Sequence, residues 1–473
     1  MNRIVHLGLG NFHRAHQALY TADAPGAPWA ITGVAHSNAG VVEALRRQAM
    51  TYTVIEVGPG AEPPRQVAVI DRALVARRDP DAVVAEIADP DTHVVTLTIT
   101  EKGYGFGPGG HDLEVTDDIR SDAAGTGAPR TMLGLLARGL LRRAASGGTP
   151  VTLVSCDNVS GNGTGLRRVL SQFAALLPPA DADTLTGFLG RCATPNTMVD
   201  RIVPATTDAT RAAARAAGFD DEVPVPCEPF TMWVLEDDFA GPRPSWEAAG
   251  AILTDQVHTY ELVKLRLLNA TNSMLAYLGA LTGKTYQAEA VEDAAIRPVA
   301  WRLGDEMQPT IDLPAGLDPL AYREEMFARF ANLELGHTCQ QVGSDGSAKL
   351  TQRVPGPVAW YEERGEVPQV IALLVAAWLH VVTRLDLPAG QVPDEPLRDQ
   401  LRELDRVSTA PHDLARAALA DAAVLGPDLA RRAGFIALVG EFLDDIAAGR
   451  LADLLARLGA HDTATDATER SHS

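Results

Sequence analysis

The strongest constraint on this chain lies at its beginning. A short apolar run, Ile4 to Leu7, ends in Gly8-Leu9-Gly10 and passes into a helical pattern from about Phe12 to Tyr20. A strand, a glycine turn and a helix form the context in which a backbone can approach a pyrophosphate. The first glycine permits the tight turn, and the second admits the anion at a helix N-terminus. The third glycine of that pattern would be residue 13, which is His13. The fingerprint is therefore partial, and its place at the head of a repeating pattern carries the argument.

The repeat is an alternation of strand and helix. Trp29 to Val34, the β-branched run His93 to Thr100 and Pro150 to Ser155 read as strands. Met132–Ala144 and Gly165–Leu177 read as helices. Such alternation predicts an α/β fold with a Rossmann-type, doubly wound sheet. From about Thr254 the pattern turns helical, over 255–281, 367–385, 395–406, 411–423 and 427–458. We expect a dinucleotide-binding domain over 1–250, a mainly α-helical domain over 251–460 and a flexible tail over 461–473. Cofactor contacts are expected at Gly8, Gly10, Asn11, Phe12 and His36. The second strand runs into Ala35-His36-Ser37-Asn38 without the acid that usually grips a ribose. NAD is the expected cofactor, and the missing acid leaves NADP open.

A net charge of −20 argues against nonspecific nucleic-acid binding and against attraction to anionic lipid. The longest apolar stretch, Val370 to Val382, is interrupted by His380 and is too short to span a bilayer. Cys156, Cys192, Cys227 and Cys339 form no CxxC pair, which fits a reducing cytoplasm. No metal site is expected. The expected partner is a small molecule, and the expected state is a monomer or small homo-oligomer.

Of 41 basic residues only Lys102, Lys264, Lys284 and Lys349 are lysines. Arg can replace Lys in ion pairs but cannot accept a proton near neutral pH. Lys264 stands in Glu261-Leu-Val-Lys264-Leu-Arg-Leu-Leu-Asn269-Ala-Thr-Asn272. At 100° per residue, Glu261, Lys264, Asn269 and Asn272 share an arc of roughly 140°, and the rest of the circumference is mostly apolar. A polar stripe on a buried helix needs either internal partners or a wet cleft. One reading is an interior hydrogen-bond network. The other is catalytic: a desolvated Lys takes a hydroxyl proton, neighbouring Asn side chains donate to the developing alkoxide, and Glu261 relays the proton outward.

Seven segments, in order, then carry a family resemblance: Gly8–Ala24, Val94–Tyr104 (VVTLTITEKGY), Ser155–Gly163 (SCDNVSGNG), Pro195–Ile202 (PNTMVDRI), Cys227–Phe239 (CEPFTMWVLEDDF), Lys264–Gly279 (KLRLLNATNSMLAYLG) and Asp345–Lys349 (DGSAK). The chain resembles the polyol-specific long-chain dehydrogenases, the mannitol 2-dehydrogenase and fructuronate reductase family. The resemblance implies metal-independent hydride transfer between NAD(P) and C2 of a linear polyol or its ketose. It implies Lys264 as general base, Asn158 and Asn269 as donors to the reacting oxygen, and Glu261 as the gate for proton exit. It implies Asp200 and Lys349 as contacts to substrate hydroxyls. Asn272 and Gln341 occupy positions where the family often has His and Arg, and are expected to face substrate. Thr231-Met232 before Trp233 is a further departure.

Alternatives stay open at this point. Asp200 and Arg201 could pair structurally, Asn158 could cap a helix, and Lys349 could be a loop lysine. Lys284 reads as a solvated surface residue. The expected activity is that of a mannitol-like polyol dehydrogenase. Its alternatives are fructuronate reduction and, from a different class, a dinucleotide-binding sensor that has lost catalysis.

Overall fold

The N-terminal strand signals assemble into one parallel sheet. The computed structural model describes residues 2–107, 110–383, 387–388 and 392–460, and the tail expected from residue 461 lies outside the described residues. The strands are β1 (Asn2–Leu7), β2 (Trp29–Ala35), β3 (Tyr52–Glu56), β4 (Arg65–Val67), β5 (Ile70–Val75), β6 (Thr92–Leu97), β7 (Thr152–Ser155), β8 (Thr197–Asp200), β9 (Val225–Cys227), β10 (Met232–Leu235) and β11 (Ile252–Leu253). Five of these pair in the order β5-β2-β1-β6-β7, with every pairing parallel. Within that sheet the chain order is third, second, first, fourth, fifth. The winding reverses between β1 and β6, and in such sheets ligands bind at that reversal, beyond the carboxyl ends of the strands.

Successive side chains of a strand face opposite sides. Ile4, Val94 and Val154 enter one apolar core, while Val5, Leu7, Val95, Leu97 and Leu153 enter another. Covering both faces explains why these strands read as predominantly apolar and β-branched runs, without a polar side. This is the doubly wound α/β fold that the alternation predicts.

Three local departures have physical causes. β6 ends at Leu97 and not at Thr100, because the amides of Ile99 and Thr100 turn toward the Asp157 carboxylate, at 2.7 and 3.1 Å. The helix after the glycine turn is two short ones, Asn11–Ala15 and Gln17–Asp23. His16 between them has φ −130° and ψ −94°, with its ring Nε2 3.0 Å from the Met232 carbonyl. Finally, two small sheets, β4-β3-β9 and β11-β10-β8, were not legible as strands. Most of their members have two to four residues, and Pro226 interrupts β9. No period of two can show over such lengths.

The described residues up to Tyr260 and those from Glu261 onward form two compact units. In the second, the helix Gln369–Thr383 is fully buried from Val370 to Leu379 and packs against Ala270–Leu281. The pattern over 427–458 is divided at Gly449, whose φ of +76° separates the helix Ala433–Ala447 from Leu451–Gly459. Among the described residues no helix is long and apolar enough to cross a membrane.

Candidate functional site

In the first unit the expected residues gather at the carboxyl ends of β1, β2, β6, β7 and β8. Gly8 has φ +110°, and a Cβ there would lie 1.9 Å from the Thr98 carbonyl oxygen. Only glycine lets β1 turn this closely past the end of β6. At Gly10 the situation is reversed. Its Cβ would meet nothing nearer than the Gly8 carbonyl at 3.7 Å, so that face is open to a pyrophosphate. One tight glycine and one open glycine fit a dinucleotide.

The Asn11 carboxamide is engaged within the fold. Its Nδ2 donates to the Pro204 carbonyl and the Thr206 hydroxyl, and its Oδ1 accepts from Arg14 at 2.7 Å. Both of its donor hydrogens are used, which leaves the backbone and the second lone pair of Oδ1 for a cofactor. Phe12 stacks on His16, with ring centroids 5.0 Å apart. His36 is exposed just beyond β2, and its carbonyl accepts the Arg77 amide beyond β5. Arg77, exposed in Val75-Ala-Arg-Arg, was missed in the sequence. Two consecutive arginines after a strand were its signal.

At the end of β7, Asn158 is exposed and follows a buried carboxylate. Asp157 accepts the Ile99 and Thr100 amides and the Tyr104 hydroxyl, the last at 2.8 Å. Tyr104 is also 2.6 Å from the Ser155 hydroxyl. Burial raises the Asp157 carboxyl above the usual range, and these donors oppose the shift. Asn162 donates to the Ser155, Asp157 and Thr197 carbonyls and accepts the Thr197 amide, joining the SCDNVSGNG and PNTMVDRI segments.

Asp200 closes β8, buried and opposite Met232. Arg201 beside it pairs with Glu56 at 2.8 Å and donates to the Ala15 and Glu228 carbonyls. A cavity of about 430 Å³ beside Arg201 includes none of the expected site residues in its lining. Its Arg65 and Arg201 are already paired, with Asp23 and Glu56.

In the second unit the lysine-bearing helix is irregular at the point that matters. It runs as an α-helix over Val257–Val263, as a π-helix over Lys264–Asn269, and as an α-helix again over Ala270–Leu281. The Ala270 amide reaches back five residues to the Leu265 carbonyl. In an α-helix Lys264 and Asn269 would stand about 140° apart, at the two edges of the polar stripe. An i→i+5 turn brings residues five apart to the same side of the helix, and such turns recur at functional sites. Glu261 and Lys264 are buried, while Asn269 and Asn272 are half-buried. The Asn272 carbonyl accepts from Gln287 at 3.4 Å.

Lys349 lies on the helix Gly346–Arg353, and its ammonium donates to the Val342 and Ser344 carbonyls at 3.1 and 2.6 Å. Burial lowers its pKa, and Arg353 adds to this. Gln341 is exposed and forms a capping box with Thr338, the Gln341 Oε1 accepting the Thr338 amide. Lys284 is an ion-paired residue, 2.9 Å from Asp293 and partly buried, which differs from the solvated position expected for it. Lys102 is exposed on the helix Thr100–Tyr104. Among the described residues no group of three or more His, Cys, Asp or Glu is placed to hold a metal ion.

The comparisons with known proteins match this architecture in two parts. The Mannitol dehydrogenase Rossmann domain matches residues 2–248, and the Mannitol dehydrogenase C-terminal domain matches residues 256–447. The chain belongs to the mannitol dehydrogenase family. Among its relatives in that family is the D-mannonate oxidoreductase of Escherichia coli, 34% identical over 93% of this chain and 92% of the relative. Another is the D-arabinitol 4-dehydrogenase of Ralstonia nicotianae, 38% identical over 80% of this chain and 82% of the relative. A solved structure of the family, Pseudomonas fluorescens mannitol 2-dehydrogenase in a ternary complex with NAD and D-mannitol, superimposes with a TM-score of 0.83. It is 31% identical, covering 97% of this chain and 94% of that one.

Proposed function

We propose that this mannitol dehydrogenase family member oxidises a linear polyol to its 2-ketose, and reduces the ketose, with NAD as the partner cofactor. The observation that carries the reading is the π turn, which brings a buried amine, Lys264, and a carboxamide, Asn269, to one side of a helix. NAD, when bound, supplies the hydride acceptor. Lys264 Nζ takes the hydroxyl proton as the carbon is oxidised. The Asn269 Nδ2 donates to the same oxygen while it carries alkoxide charge. Glu261, one turn before the base, passes the proton outward. The assignment of Asn158 as a second donor rests on its motif, as do the substrate-facing roles of Asp200, Asn272 and Lys349. Gln341 is the weakest of these assignments, because its side-chain oxygen already serves a cap.

A hexonate such as mannonate, oxidised to fructuronate, is the second reading. One observation favours it: the half-buried Lys349 ammonium carries three protons and gives two to the Val342 and Ser344 carbonyls, and a carboxylate needs a cationic donor of this kind. A panel of polyols, ketoses and hexuronates, with NAD(H) and NADP(H) absorbance as the readout, separates the two. Activity on fructuronate with none on any polyol would overturn the first reading. We place the enzyme in the cytoplasm, since its four cysteines are free and buried. A monomer or small homo-oligomer is the proposed state, to be read by light scattering.

A further inference from the structure

A six-residue π segment inside a buried helix is unusual, and something must keep it from relaxing to the α register. An i→i+5 turn carries an extra residue, and the carbonyls at its exit leave the regular i→i−4 ladder. The Asn269 carbonyl ends the π segment, and Ser273 lies one α turn beyond it. Both are held by the same group. Arg353 Nη1 donates to the Asn269 carbonyl at 2.7 Å and to the Ser273 hydroxyl at 2.5 Å.

Arg353 is buried, 8% exposed, and its Nε has no hydrogen-bond partner among the described residues. A guanidinium held in so dry a place with incomplete pairing is costly unless its position matters. Burial lowers its pKa to about 10, which leaves it cationic at neutral pH. Tyr277 on the lysine helix faces it, and Lys349 lies one turn earlier on its own helix. Arg353 therefore joins the helix that carries Lys349 to the backbone of Asn269.

We propose that Arg353 is a positioning residue that locks the Lys264–Asn269 turn in its i→i+5 register. It does so by clamping the turn's last carbonyl and the Ser273 hydroxyl one α turn beyond it. The chemical consequence rests on the proposed function: with the register lost, the Asn269 carboxamide rotates away from the Lys264 side by up to the α-helical separation.

The test uses the full-length protein and the variants Arg353→Met, Arg353→Lys and Ser273→Ala. Hydrogen exchange of the amides over 264–274 is followed beside steady-state kinetics across pH and thermal melting. Arg353→Met is expected to speed exchange in that segment above all others. It should lower kcat by about 100-fold, the scale of an ångström-level misplacement, with the KM for cofactor nearly unchanged. Added guanidinium should restore part of kcat, and Arg353→Lys should fall between. Ser273→Ala, which removes one of the two acceptors, should show the same exchange pattern more weakly, and it keeps the test in force if Arg353→Met fails to fold. The proposal is overturned if exchange over 264–274 stays at the wild-type rate in the variants, or if Arg353→Met keeps wild-type kcat. If the wild type turns over no substrate of either class, the proposed function fails while the exchange measurement still decides the role of Arg353.

Discussion

His13 lies flat against His6, with ring centroids 3.4 Å apart and planes within 11° of parallel. Both rings are buried beneath the glycine turn, with His13 at the position of the third glycine. His6 Nε2 donates to the Gly8 carbonyl at 3.2 Å, and its Nδ1 lies 2.8 Å from the Thr96 hydroxyl. Burial lowers the His6 pKa to about 3 and holds that of His13 well below the usual value, aided by His6, Arg14 and His16 nearby. A histidine with a depressed folded pKa takes its proton only on unfolding. Stability is therefore lost as pH falls below about 6.5, the unfolded value, and the loss continues down to the folded pKa. Urea titrations from pH 8 to 4 should show this decline. His13→Phe keeps a stacked ring and removes two buried nitrogens that lack partners among the described residues. It should flatten the acid limb and add about 1 kcal/mol at pH 7. An unchanged slope would remove His13 from the account.

Asp157 should be as sensitive to isosteric change as His13 is to protonation. Its carboxylate receives two backbone amides and one hydroxyl, holding the turn after β6 against the loop that carries Asn158. In Asp157→Asn an NH2 group must face one of those donors, leaving a buried amide unpaired. The loss should be about 1–3 kcal/mol, read from urea midpoints, together with a fall in kcat/KM. Tyr104→Phe removes a single donor and should lose about 1 kcal/mol. Proton linkage at Asp157 runs opposite to the histidine pair: its raised folded pKa lets the folded state bind the proton more readily, which favours folding as pH falls. Wild-type stability in Asp157→Asn would mean that the network does not hold the loop.

Lys264 is the position where charge and function can be separated. Lys264→Arg keeps the cation but cannot accept a proton, and Lys264→Ala loses both. Both should lower kcat by about 1000-fold while NADH fluorescence titrations give a dissociation constant near that of the wild type. Asn269→Ala should lose about 100-fold or more in kcat, the scale of one oxyanion donor. Substantial turnover by Lys264→Arg would rule out the amine as the base. Tight NADH binding by a wild type inert to every substrate would favour the sensor reading.

Part of this architecture could be read from residue types and part could not. The parallel sheet was legible because strands covered on both faces, such as Val94–Leu97, are apolar or β-branched at every position. The polar stripe on the lysine helix was legible because Glu261, Lys264, Asn269 and Asn272 interrupt an otherwise apolar surface. Its true geometry was hidden, since the π turn changes the hydrogen-bond register of Lys264–Asn269 without leaving any composition signal. Arg353 stood in plain view four residues after Lys349. Its partner, the Asn269 carbonyl, is a backbone atom some 80 residues away in sequence, and no side-chain pattern reports such a contact. Asp157 was hidden for the same reason: two of its three donors are amides, and only Tyr104 has a side chain that could have hinted at it.

The end of β2 should set which cofactor the enzyme prefers. An Asp or Glu here would bind the ribose hydroxyls of NAD and repel a 2′-phosphate. This chain has His36, Ser37 and Asn38 instead, and Asn38 is committed to capping the helix Ala39–Arg47. His36 is exposed, and backbone hydrogen bonding ties it to Arg77, which is exposed at the end of the neighbouring strand β5. Arg78 is paired with Glu43 at 2.8 Å. A cation beside an acid-free strand end can receive a 2′-phosphate. NADP should therefore bind with an affinity within about tenfold of that for NAD, a difference below about 1.4 kcal/mol. His36→Asp introduces the missing carboxylate. It should reduce NADPH affinity by at least about tenfold in fluorescence titrations and leave NADH affinity equal or tighter. Arg77→Ala should weaken NADPH alone, and that weakening should shrink as salt is raised, since it reports a charge contact at the surface. If both variants bind NADPH as the wild type does, the end of β2 does not set the preference.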